Sequence, residues 1–166
     1  MAFLRRRRIE RTATGRYAIR LPARERALLG DLVEQLREVL LQSTDDPSVR
    51  RLFPAAYHDD PDRDREYQQL VRDELLERRL AALTVLEETA QASELDEAGL
   101  AGWLTALNDL RLVIGTRLDV SEDDLEIDPD DPDAPAFAVY HYLGMLLSEA
   151  VDALEADLPP PTEPEV

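Results

Sequence analysis

The run Leu28-Leu29-Gly30-Asp31-Leu32-Val33-Glu34-Gln35-Leu36-Arg37-Glu38-Val39-Leu40 decides the fold. Leu28, Leu29, Leu32, Val33, Leu36, Val39 and Leu40 recur at steps of three and four, which draws an apolar stripe along one side of an α-helix. Pro22 opens this helix where a missing N–H costs nothing, and the pattern stops near Ser43. A helix with one apolar side must bury it against other elements, so the neighbouring segments supply the rest of the core.

Downstream, Asp46-Pro47 reads as an N-cap and first residue of a short helix through Leu52. After a turn over residues 53–61, a long helix is predicted from about Asp62 to Thr89. Its buried side would carry Tyr67, Leu70, Val71, Leu75, Leu80, Leu83 and Leu86. Asp96 caps the next helix, with Leu95 and Leu100 as a hydrophobic staple. Trp103, Leu107, Leu110, Val113 and Ile114 carry that helix to about Arg117. Residues 119–135 form an acidic, proline-containing loop, in which Ser121 and Asp124 would cap one short turn stapled by Val120 and Leu125. The last helix starts near Pro135, shows Phe137, Tyr140, Leu143, Leu147, Val151 and Leu154, and is stopped by Pro159-Pro160-Pro161.

Upstream, residues 3–21 read as a β-hairpin. Tyr17, Ile19 and Leu21 alternate with Arg16, Ala18 and Arg20, the period of a half-buried strand, and Phe3 and Ile9 share parity on the first run. Thr12-Ala13-Thr14-Gly15 supplies the turn. The expected fold is mainly α: a helical bundle of about four main helices with an N-terminal β-hairpin. It forms a single domain over residues 1–157, and a disordered Pro-rich tail follows at 158–166.

Charge is uneven. All 19 basic residues are Arg, against 36 acids, for a net charge of −17. Residues 1–26 hold nine Arg against Glu10 and Glu25, a net of +7, and residues 27–166 carry −24. Phosphate backbones would be repelled by the helical body, which leaves only the N-terminal Arg run for nucleic acid. Arg5, Arg6, Arg7 and Arg8 are candidate partner-binding residues, for an acidic protein surface or phosphate; the alternative is that they dock on the chain's own acidic helices. The start has no apolar core after its Arg run, unlike a secretory signal, and no apolar run of about 18 residues spans a membrane. The expectation is a cytoplasmic protein.

Chemical signatures are sparse. There is no cysteine, which excludes disulfides and thiolate sites. His58-Asp59-Asp60 has only one other His, His141, to complete a metal site, and reads better as a loop capping a helix. Asp124, Glu126 and Asp128 have calcium-loop spacing, but Pro129 and Pro135 stand where such a loop needs Gly and Glu. No phosphate loop or nucleophile motif is present, so the reading is of a non-enzyme without cofactor. Arg111 sits near the buried side of its helix and needs an acid, for which Asp59, Asp60 and Glu66 are the candidates.

Two blocks carry a resemblance. One is Arg51-Leu52-Phe53-Pro54-Ala55-Ala56-Tyr57-His58-Asp59-Asp60 with Glu66-Tyr67; the other runs from Trp103-Leu104-Thr105-Ala106-Leu107-Asn108-Asp109-Leu110-Arg111 to Gly115-Thr116-Arg117-Leu118. Both resemble an actinobacterial oxidative-stress regulator family, AosR-like, first filed as a domain of unknown function. The resemblance marks Phe53, Pro54, Tyr57, Asp59, Asp60, Glu66, Trp103, Arg111, Gly115 and Arg117 as structural motif positions. It implies a transcription-associated regulator acting through protein contacts, with a sigma factor or RNA polymerase as partner. The alternative it implies is an accessory factor for Clp-type proteolysis, since family genes tend to neighbour that of the Clp adaptor ClpS. The family's characterised type senses oxidation through paired cysteines, which have no counterpart in this chain.

A thiol oxidant is therefore expected to leave this protein's interactions unchanged. Partner binding compared with and without diamide should be the same; a reversible change traced to this chain would contradict the reading.

Overall fold

Gly15 closes the N-terminal hairpin with a φ of +79°, and its N–H donates to the Thr12 carbonyl at 3.0 Å. The computed structural model describes residues 6–120 and 128–156. Strands β1 (Ile9–Arg11) and β2 (Tyr17–Ile19) pair antiparallel with Ile9 opposite Ile19. The strands are shorter than the expected hairpin, and Phe3 lies outside the described residues. β2 is also buried on both faces, Ala18 included, instead of alternating. A two-residue strand β3 (Glu94–Leu95) pairs with its other edge, Tyr17 opposite Leu95, and makes β2 the central strand.

Helix α1 (Ala23–Gln42) begins one residue after Pro22, which occupies the N-cap, and ends at Ser43. Leu29, Val33, Leu36 and Leu40 are buried. Arg26 braces this corner: its guanidinium donates to the carbonyls of Leu21 (2.9 Å), Ile19 (3.0 Å) and Ala92 (3.0 Å), tying α1 to the sheet. A 3₁₀ helix (Pro47–Leu52) follows, capped by the Asp46 carboxylate, which accepts from the Ser48 N–H at 2.8 Å. Its Val49 and Leu52 are fully buried.

Helix α2 (Pro61–Thr89) starts at the Asp60 cap, one residue ahead of the start expected near Asp62. Its burial corrects the sequence reading. Only Ala82, Leu83 and Leu86 are buried, whereas Tyr67 is 38% exposed and Leu70 81%. The first half of α2 leans on the 53–57 turn along one side. Gln68 donates to the Pro54 carbonyl (2.9 Å), Asp64 accepts from the Ala56 N–H (2.7 Å), and Arg72 lies over the Phe53 ring. Its apolar period continues past the point where there is a core to fill.

Helix α3 (Glu97–Arg117) is the hub, touching α1, α2, α4, β3 and the 3₁₀ helix. Asp96 caps it through the Gly99 N–H at 2.7 Å, and the staple residues Leu95 and Leu100 are buried. Trp103 is fully buried with its indole N–H donating to Thr89 Oγ1 at 2.7 Å. Helix α4 (Ala134–Glu155) covers the remaining side through Leu143, Leu146, Ala150 and Ala153. The expected stripe is displaced: Leu143 is central, but Val151 is exposed and Tyr140 and Leu147 only half-buried. Two of the four core positions are alanines, too small to stand out in an apolar pattern. The expected capped turn and most of the calcium-like spacing fall at residues 121–127, and the Pro-rich tail at 158–166; both lie outside the described residues.

At Gly102, α2 and α3 approach so closely that a Cβ would lie 2.6 Å from Val85 Cγ1. Gly102→Ala should lower stability by about 1–2 kcal/mol, the overpacking strain exceeding alanine's better helix propensity. Adding Val85→Ala should recover part of that loss in urea unfolding. A stabilised single variant would contradict this packing.

Candidate functional site

The two motif blocks meet, but not through Arg111. Residues 109 and 111 lie two apart on α3, so their side chains leave the helix about 200° from each other. Asp109 faces α2 and the 3₁₀ helix, and Arg111 faces α4. The Asp109 carboxylate is fully buried and pairs with Arg79 of α2, whose guanidinium also donates to the Leu52 carbonyl at 3.3 Å. One arginine therefore joins α2, α3 and the 51–60 block. Burial pushes the Asp109 carboxyl up to about 6, against the pull of Arg79.

Arg111 lies instead over the Tyr140 ring, 4.5 Å from its centroid, and its Nε–H is buried without a hydrogen-bond partner among the described residues. Its expected partners Asp59, Asp60 and Glu66 are all exposed, and Asp60 serves as the α2 cap through the Arg63 N–H at 3.1 Å. Tyr57 stacks edge-on to Tyr67 with ring centroids 6.0 Å apart, and Arg63 covers it at 4.4 Å. Phe53 is buried beneath Arg72, and Pro54 is exposed. Gly115 is required by contact: a Cβ there would stand 2.9 Å from Tyr140 Cε2. Arg117 is exposed beside a cleft of about 380 Å³ between α1, α3 and α4, lined by Leu32, Gln35, Ile114 and Val139.

The N-terminal arginines divide. Arg8 forks onto Glu25 at 2.7 and 2.8 Å, and the Tyr142 hydroxyl donates to the same carboxylate at 2.7 Å. The Arg8 guanidinium holds the Glu25 carboxyl below the usual carboxylate range; burial and Glu25 together push the Tyr142 hydroxyl up. The Arg8 and Ile9 N–H groups both donate to Glu149 of α4, at 2.7 and 3.0 Å. Arg7 makes a half-exposed pair with Asp152 at 3.1 Å, worth about 0–1 kcal/mol. Arg6 is exposed, and Arg5 lies outside the described residues. Arg7 and Arg8 are thus docked on the protein's own acidic side chains. Glu25, Arg79, Asp109 and Glu149 carry this framework and were missed from sequence. Among the described residues no group of three or more His, Asp or Glu side chains is arranged to hold a metal, and no helix is long and apolar enough to cross a membrane.

Two outcomes follow from the buried carboxyl. Arg79→Ala strands Asp109 and should cost about 3–5 kcal/mol at pH 7. The folded state also holds the Asp109 proton between the ordinary 3.8 and about 6, where the unfolded chain has lost it, so this group's contribution to stability falls as pH rises through that window. In urea unfolding, wild type should gain about 1.4 kcal/mol relative to Asp109→Asn between pH 7.5 and 5.0, one unit of the shift. A difference that does not change with pH would contradict the assignment.

The comparisons agree with these blocks. The family model "Domain of unknown function (DUF2017)" matches residues 6–154. A protein of Mycobacterium leprae (strain TN) named "Putative oxidative stress regulator AosR" is 31% identical over 134 residues, which cover 69% of this chain and 61% of that protein. The chain thus spans less than two thirds of its relative's length. No solved structure matches. With the family model running from Arg6, ahead of β1, to Leu154 in α4, this chain belongs to the DUF2017 family.

Proposed function

We propose that this chain is a non-enzymatic, cytoplasmic stress-response regulator that acts by binding a protein of the transcription machinery, a sigma factor or RNA polymerase. The observation that carries the reading is the relative named as an oxidative stress regulator. The absence of cysteine makes the action thiol-independent.

The surface favours α2 over the Arg run as the place of contact. Arg7 and Arg8 are engaged internally, whereas Leu70 on the first half of α2 is 81% exposed, next to the exposed acids Asp73, Glu74 and Glu77. An apolar residue flanked by carboxylates suits a basic, partly apolar surface, and electrostatic attraction would speed encounter at low salt. Co-elution of the purified chain with RNA polymerase and individual sigma factors tests the reading. A complex should form, be unaffected by diamide, and weaken at least about tenfold with Leu70→Glu while the thermal midpoint stays unchanged, as for a residue in the centre of an interface. Failure to bind any of these proteins would contradict it.

A further inference from the structure

We propose that the seam between α1 and α2 is a docking groove for one basic, amphipathic helix of a protein partner. The inference rests on the reading of α2 as the contact surface and adds the shape and charge of what binds there.

Helical periodicity builds the groove. Arg37, Leu41 and Thr44 follow at steps of four and three, so they share one side of α1. Both ends of that line touch α2: Arg37 donates to Glu87 at 2.7 Å, and Arg72 donates to the Thr44 hydroxyl. Leu41, between the two contacts, therefore stands at the seam, yet it is 66% exposed. On α2, Leu76 and Leu80 come four and eight residues after Arg72, on the same side of the helix, and are only partly buried against the core. They line a surface concavity of about 470 Å³ that continues outward to Leu70. Leu41 and Leu70 are the two most exposed large apolar side chains among the described residues.

Charge selects the occupant. Glu38 on α1 and Asp73 and Glu77 on α2 border this apolar floor. All three are exposed, and none has an arginine partner among the described residues. The arginines at the two ends, Arg37 and Arg72, are already paired with Glu87 and Asp45. The rim is therefore negative. A second copy of this chain would set the same carboxylates against each other, and nucleic acid would be repelled. A basic surface with an apolar centre fits instead. Two helices have their main-chain groups already paired, so the seam offers no sheet edge to an extended peptide. A helix satisfies its own backbone and presents apolar residues at steps of three and four, which suits a seam between two helices.

The probe is a lysine-rich peptide of about 15 residues with leucines at steps of three and four, short enough to be largely unfolded alone. Its control is a scrambled peptide of the same composition. Each is titrated into the full chain at about 0.15 M salt, where charge acts over only about 8 Å, and followed by fluorescence anisotropy and circular dichroism. The patterned peptide should bind saturably, one per chain, and become helical. Leu41→Ser and Leu70→Ser should each weaken it at least about tenfold, with Val151→Ser on α4 without effect. Equal binding of the scrambled peptide, or of the patterned peptide to Leu41→Ser, would overturn the proposal. So would sedimentation showing the chain alone as a dimer that Leu41→Ser dissociates, since a second copy would then fill the groove. RNA polymerase or a sigma factor binding undiminished to Leu41→Ser would overturn the groove and leave the regulator reading standing. Leu41-dependent peptide binding without any such partner would do the reverse.

Discussion

A single buried carboxylate governs the arrangement of this protein. Asp109 is fully buried at the centre of the hub helix, and among the described residues its salt-bridge partner is Arg79. An unpaired charge there would cost several kcal/mol, so α2 can dock on α3 only in the register that brings Arg79 to Asp109. That register has two consequences. It lets the same guanidinium reach the Leu52 carbonyl, which fixes the 3₁₀ helix and the 51–60 block against the core. It also places Gly102 under Val85 and Trp103 against Thr89, so the second half of α2 is packed while the first half projects beyond the core.

Arginine serves mostly as an internal tie. Arg26 gathers carbonyls from the sheet and from the end of α2, Arg8 links β1 to α1 through Glu25, and Arg37 reaches from α1 to Glu87 of α2 at 2.7 Å. The planar, permanently charged fork suits this work, since one side chain can hold two or three acceptors at once. The positive charge of the N-terminal segment is thereby partly spent inside the molecule, in contact with Glu25 and Asp152. The outer face of the bundle stays acidic, which directs attention to basic partners for α2.

The helices were legible because their signals are local. The stripe from Leu28 to Leu40, the caps at Asp46, Asp60 and Asp96 and the Leu95–Leu100 staple each act within a few residues, and each lies where the pattern puts it. What was not legible depends on contacts distant along the chain. β3 exists only because Glu94 and Leu95 meet β2. The exposure of Leu70 follows from where the core ends, which an apolar period cannot show. Placing Arg111 near a buried face was sound, but a helix buried on several sides has no single inward direction, and the residue two positions earlier carried the ion pair. Asp109 differs from the chain's other acids only in its surroundings, and Arg79, beside Arg78 on an exposed-looking stretch, gave no signal.

The most direct test of this account is a double-mutant cycle on Arg79→Met and Asp109→Leu by urea unfolding at pH 7. If the pair sets the register of α2 on α3, each single variant should be strongly destabilised and the double variant should recover much of the loss, with a coupling energy of about 1.5–3 kcal/mol. Additive effects within about 0.3–0.5 kcal/mol would show that the two residues act independently and would contradict the account.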